Sequence, residues 1–83
     1  MFVYVLWSEK LRKRYIGSCE DVQRRLSEHN RGKVRFTKGG IPWVVVYQEQ
    51  CANRSEARKR ELYLKSGIGR QWLDQHLADS DNA

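Results

Sequence analysis

Apolar positions fall in short blocks separated by polar and glycine-containing stretches. Phe2-Val3-Tyr4-Val5-Leu6-Trp7 is a continuous apolar run, the pattern of a buried strand. Ser8 to Arg12 is polar and turn-like, and Lys13 to Ser18 reads as a second strand, so the first two elements form a hairpin. A loop centred between Glu9 and Lys10 makes the numbers of facing residues add to nineteen. Tyr4 then stands opposite Tyr15, with Cβ atoms about 5 Å apart. Glu-Lys is not a favoured two-residue turn, so a longer symmetric loop is expected. Pro42 opens a third strand, Trp43 to Gln48, whose Val44-Val45-Val46 triplet suggests a central position in the sheet.

Between the strands the apolar period changes to that of helices. Tyr15-Ile16-Gly17 leads into Ser18-x-x-Asp21, a capping signature, and a first helix is expected from Cys19 to Asn30, stopped by Gly32. Glu20 and Asp21 would occupy its first turn, where the helix dipole favours acids. Val22 and Leu26 point to the core, with Arg25 and His29 on an adjacent strip. A second helix is expected from Glu56 to Ser66 with Ser55 as its cap. It carries Ala57, Leu64 and, beyond it, Ile68 on one face. Glu61 falls on that same face, where a carboxylate costs free energy unless it is paired, metal-bound or at a cleft edge. A short third helix, Arg70 to Leu77, packs Trp72, Leu73 and Leu77. Residues 1–78 form one domain, and 79–83 a disordered tail.

Charge narrows the partner. Among 83 residues, sixteen Lys/Arg stand against ten Asp/Glu, a formal net charge of +6, which favours a polyanion. Arg31 to Gly40 is basic and glycine-rich, a loop able to wrap a phosphate backbone, with Phe36 either anchoring it to the core or stacking on a base. Cys19 and Cys51 form no C-x-x-C pair and read as reduced thiols of a cytoplasmic protein. No apolar run is long enough to span a membrane, and the N-terminus is not a signal peptide.

Tyr4, Tyr15, Arg25, His29 and Glu61 are the polar groups expected near one place. They suit phosphodiester chemistry. Arginine gives a phosphate bidentate donors, a Tyr or His can move a proton, and a lone carboxylate can anchor Mg²⁺ that keeps most of its waters. Tyr4 and Tyr15 would equally make a plain cross-strand aromatic pair.

At these positions the chain resembles the GIY-YIG nuclease superfamily, in particular small single-domain bacterial proteins related to the nuclease domain of the excision-repair endonuclease C subunit. The motifs match as Phe2-Val3-Tyr4, Tyr15-Ile16-Gly17, Arg25, His29 and Glu61; Phe2 replaces the glycine of the first motif. Thr37-Lys38, Pro42-Trp43, Lys65-Ser66 and Gly69-Arg70 also look like this small subgroup. The resemblance implies an α+β fold, a three-stranded antiparallel sheet flanked by helices. It also implies a DNA endonuclease that uses one Mg²⁺ or Mn²⁺ and no small-molecule cofactor, with a place in DNA repair or recombination. Glu61 would hold the metal, Arg25 the scissile phosphate, and Tyr4 would act as general base assisted by His29, or the reverse. Tyr15 would position water or phosphate. Arg31, Lys33, Arg35, Lys38, Arg58, Lys65 and Arg70 are the candidate DNA contacts. A non-catalytic nucleic-acid-binding module is the alternative. With no second module in the chain, specificity would come from a protein partner.

Overall fold

A computed structural model describes residues 1–81, with side chains described through Leu77. The elements run β1 (Phe2–Ser8), β2 (Lys13–Cys19), α1 (Val22–Asn30), a 3₁₀ turn (Arg35–Gly40), β3 (Trp43–Gln50), α2 (Arg54–Lys65) and α3 (Gly67–Asp81). The strands form one antiparallel sheet in the order β2-β1-β3. The expected three-stranded α+β architecture is therefore present, with β1 and not β3 at its centre.

Alternation along β1 builds two cores, one on each face of the sheet. Val3 and Val5 pack with Ala57 and Leu64 of α2 and Leu73 of α3. Tyr4 and Leu6 pack on the other face with Val22 and Leu26 of α1 and with Trp43. The valine triplet misled because of a β-bulge. Val5 pairs with Tyr47 but Leu6 with Val45, so the register shifts there. The extra residue lets Val46 and Tyr47 both join the Val3 core, while Val45 joins the Tyr4 core. Val44 is left 52% exposed on the edge strand.

The hairpin is offset from the expected register. Tyr4 faces Gly17 and Leu6 faces Tyr15, because the four-residue loop is Glu9 to Arg12 and is centred one residue later. Arg12, at φ 55°, makes the left-handed step that the loop needs. Tyr4 and Tyr15 stay on the same face as diagonal neighbours, with ring centroids 6.4 Å apart.

Helix starts also moved. Ser18 belongs to β2, and α1 is capped by Asp21, whose side chain accepts from Arg24 N at 3.1 Å. No acid lies in its first turn. Gly32, at φ 77°, stops α1 as expected: Gly32 N and Lys33 N close onto the carbonyls of His29 and Glu28. Asn53, not Ser55, caps α2, accepting from Glu56 N at 2.9 Å. Ile68 is 70% exposed and leaves the core face. α3 begins earlier than expected and runs on to Asp81; the remainder of the 79–83 tail lies outside the described residues. Among the described residues no helix is long and apolar enough to cross a membrane. Cys19 and Cys51 are free thiols.

Gly17 is required by space. A Cβ there would stand 2.7 Å from the Tyr4 hydroxyl and 2.8 Å from its Cζ. Gly17→Ala must push the buried ring aside, and overpacking of this kind costs about 1–3 kcal/mol. In thermal unfolding, at roughly 4–8 °C per kcal/mol for a domain of this size, the melting temperature falls measurably. An unchanged value contradicts the packing.

Candidate active site

Three elements carry one buried polar chain. Tyr4 comes from β1, His29 from the last turn of α1 and Thr37 from the 3₁₀ turn, and none of the three is more than 1% exposed. The Tyr4 hydroxyl lies 3.1 Å from His29 Nε2, and His29 Nδ1 lies 2.7 Å from Thr37 Oγ1. Thr37 Oγ1 in turn donates to the Val34 carbonyl at 3.3 Å. All three bonds form together in one arrangement of protons. The Thr37 hydrogen points to Val34, His29 carries its proton on Nδ1, and the Tyr4 phenol donates to bare Nε2.

The 3₁₀ turn is fixed by its surroundings. Trp43 Nε1 donates to the Thr37 carbonyl at 2.7 Å, and Ser8 Oγ donates to the Gly40 carbonyl at 2.6 Å. Asn30, beside His29, exchanges two bonds with the Trp43 backbone, at 2.7 and 3.0 Å. Thr37 is thus a member of the cluster that the expected site lacked. An uncharged hydroxyl in a basic, glycine-rich loop gave no chemical signal of this role. Phe36, next to it, does not anchor the loop: it is 89% exposed.

Tyr15 and Arg25 complete the cluster. The Tyr15 ring meets His29 edge-on at 4.9 Å and Trp43 at 6.4 Å. Arg25 is half-buried, donates to Glu28 Oε1 at 3.0 Å, and sets its charge near the Tyr4 hydroxyl. Burial pushes the Tyr4 phenol up to about 12, against the pull of the Arg25 guanidinium. Burial, and then the Arg25 charge, press the His29 imidazole below its usual value, so it is neutral near pH 7.

Glu61 stands apart from this cluster. It projects from α2 on the opposite face of the sheet and is 6% exposed. Ser18 Oγ donates to its Oε1 at 2.9 Å, and Lys65 Nζ and Arg58 Nη1 donate to its Oε2 at 2.6 and 3.3 Å. Burial alone would raise this carboxyl, but the bonds from Lys65 and Ser18 and the two cationic charges outweigh it, and it stays ionised. Ser18 follows Gly17, over which the Tyr4 ring lies. The acid and the phenol therefore approach adjacent residues of β2, one rise of about 3.3 Å apart along the strand, from its two sides. Ser18 does not cap α1 as its signature predicts; its place in β2 makes it the link between acid and sheet edge.

Arg31, Lys33, Arg35 and Lys38 are exposed on the α1 and 3₁₀ side, and Arg58, Lys65 and Arg70 on the α2 and α3 side. Among the described residues no three His, Cys, Asp or Glu side chains cluster as a metal site. An ionised carboxylate offers about four lone-pair positions, of which Ser18, Lys65 and Arg58 occupy three. Glu61 therefore fits a hard divalent ion as a single ligand, with water filling the other positions.

The chain matches the family model of the GIY-YIG catalytic domain over residues 1–73. A UPF0213 protein of Desulfotalea psychrophila is 42% identical over 53 residues, 61% of this chain and 48% of that protein. One from Staphylococcus haemolyticus is 40% identical over 60 residues, 71% of this chain and 73% of that protein. One from Staphylococcus aureus is 43% identical over 53 residues, 63% and 65% of the two chains. The chain thus spans under half the length of the Desulfotalea protein. No solved structure matches it.

Two predictions come from the buried chain. Thr37→Val keeps the shape but strands the Nδ1–H of His29, which costs about 1–3 kcal/mol in denaturant unfolding, and Thr37→Ser restores most of it. Equal stability of all three proteins contradicts the network. For His29, a folded value below the unfolded 6.5 means that the unfolded chain binds more protons there. Stability is whole above pH 6.5 and is lost as pH falls toward the folded value. The decline in melting temperature below pH 6.5 should be shallower in His29→Gln; identical slopes contradict burial of a neutral ring.

Proposed function

The chain belongs to the GIY-YIG catalytic-domain family, and from that premise we propose that it is a DNA endonuclease that hydrolyses phosphodiester bonds with one divalent metal, Mg²⁺ or Mn²⁺, in DNA repair or recombination. The observation that carries this reading is the Tyr4–His29–Thr37 chain beside Arg25 and Tyr15. It is a prearranged route for one proton, with a phosphate-binding guanidinium at its open end.

Arg25 is the contact a phosphate reaches first, since it is half-buried while Tyr4 is only 1% exposed. A phosphate replaces Glu28 as the partner of Arg25 and draws the guanidinium outward, which uncovers the phenol oxygen. A phenol held near 12 is a poor base alone. Its hydrogen already points at His29 Nε2, so Tyr4 takes a proton from the attacking water as it passes its own to the imidazole. Both ring nitrogens of His29 are engaged, by Tyr4 and Thr37. This favours Tyr4, rather than His29, as the group that meets water. Tyr15, half-buried against His29, flanks the phosphate. The water oxygen bonds to phosphorus, the bond to one ester oxygen breaks, and the departing alkoxide is protonated by solvent.

Glu61 is the residue that would hold the metal, by one oxygen, with Ser18 orienting it. When bound, the ion would supply charge neutralisation at the phosphate. One feature favours the alternative, a nucleic-acid-binding module without turnover: Lys65 and Arg58 already neutralise Glu61.

Nicking of branched and linear DNA, with Mg²⁺ and with EDTA, separates the two readings. Cleavage is expected only with metal. Arg25→Ala should lower its rate by about 10²–10³-fold, and Glu61→Ala should abolish it while DNA binding persists. Full metal-dependent nicking by Glu61→Ala, or cleavage in EDTA, contradicts the assignment.

A further inference from the structure

A second basic feature lies round the β2 edge from the candidate site. Trp7 of β1, Arg12 of the hairpin loop, Lys13 and Arg14 of β2, Lys65 of α2 and Arg70 of α3 line a groove of about 890 Å³. Ile16 is its half-buried apolar floor, with the fully buried Leu73 beneath. Asp74 is the one carboxylate in its lining, and it is paired with Arg14 at 2.7 Å. The other four cations are exposed; of these Arg12 pairs with Glu9, which also accepts from Trp7 Nε1, and Lys65 pairs with Glu61. Arg12 lies over the Trp7 indole, 5.5 Å from its centroid, so cation and aromatic face share one rim.

The groove connects with the site at two residues. Lys65 lines it and also holds Glu61. Tyr15 borders it, while the Tyr15 ring meets His29. We infer that this groove takes a single-stranded DNA segment flanking the scissile phosphate, with phosphates on the Arg12, Lys13, Lys65 and Arg70 rim and bases toward Trp7 and the apolar floor. Cations along a track with an aromatic face are the features that bind single strands without reading sequence. The volume lies in the range of pockets that enclose small ligands, about 300–1,000 Å³. The substrate of such an enzyme is DNA with an unpaired arm at the cleavage point. The inference rests on the nuclease reading only in taking the bound strand to be part of a substrate.

Binding is measurable without catalysis. A fluorescein-labelled oligothymidylate and a blunt hairpin duplex are titrated in EDTA over a salt series, with wild type, Lys13→Ala/Arg70→Ala and the charge-keeping Lys13→Arg/Arg70→Lys. Wild type is expected to bind the single strand. The alanine pair should flatten its log–log salt slope by about 1.4, two contacts at about 0.7 each, with duplex binding unchanged. The charge-keeping pair should retain the wild-type slope, which excludes misfolding as the cause. No single-strand binding by wild type, an unchanged slope in the alanine pair, or equal losses on single strand and duplex each overturn the groove. Failure of wild type to nick any DNA with Mg²⁺, with groove binding intact, overturns the nuclease reading and leaves the groove standing.

Discussion

One buried chain of hydrogen bonds holds the candidate site together. Tyr4, His29 and Thr37 come from the central strand, the first helix and the 3₁₀ turn, and each satisfies the next. Buried polar groups tolerate no missing partner, so the chain fixes the approach of α1 and the 3₁₀ turn to the sheet as firmly as the apolar contacts around it. It also fixes a protonation state. The hydroxyl of Thr37 gives its only hydrogen to Val34, which leaves the imidazole proton on Nδ1 and Nε2 open to the phenol. Structural and chemical demands thus fall on the same three side chains.

The second constraint is the sheet edge. Alternation along β1 sends Tyr4 to one face and Val3 and Val5 to the other, where α2 packs. A carboxylate on α2 can meet the Tyr4 side only around the outermost strand. Gly17 and Ser18 allow this: one leaves space for the phenol, and the next donates to the acid. The same edge opens onto the basic groove, so cationic side chains of both faces converge on β2. Aromatic packing on the far side has a different character. Arg60 lies over Tyr63 and Trp72 and pairs with Glu49, and Tyr47 meets Trp72 edge-on, tying α2 and α3 to β3. Arg60 is thereby held against the sheet by packing and pairing, while its neighbours Arg58 and Lys59 are exposed.

Much of this was legible in the chain. Phe2 to Trp7 announces its burial by composition, Gly32 its turn by position, and Glu61 its special status by interrupting an apolar stripe. The motif residues Tyr4, Tyr15, Arg25 and His29 sit at spacings that a strand, a turn and a helix bring to one face. What stayed hidden depends on geometry that no local pattern encodes. One residue of offset in the hairpin loop replaced the Tyr4–Tyr15 pair with Tyr4–Gly17. One bulge made an edge strand resemble a central one at Val44 to Val46. Thr37 and Ser18 are small hydroxyls whose importance comes from their partners, and those are eight and forty-three residues away. The basic groove gathers cations from the hairpin and from the end of the second and start of the third helix, a grouping that only the packed fold creates.

Everything at this site depends on where His29 carries its proton. Long-range proton–nitrogen correlation NMR of the imidazole near neutral pH reads it directly. A neutral ring with hydrogen on Nδ1 and an unprotonated, hydrogen-bonded Nε2 is the expected result, and Tyr4→Phe should perturb Nε2 while leaving Nδ1 protonated. An imidazolium, or a ring carrying its hydrogen on Nε2, would contradict the account.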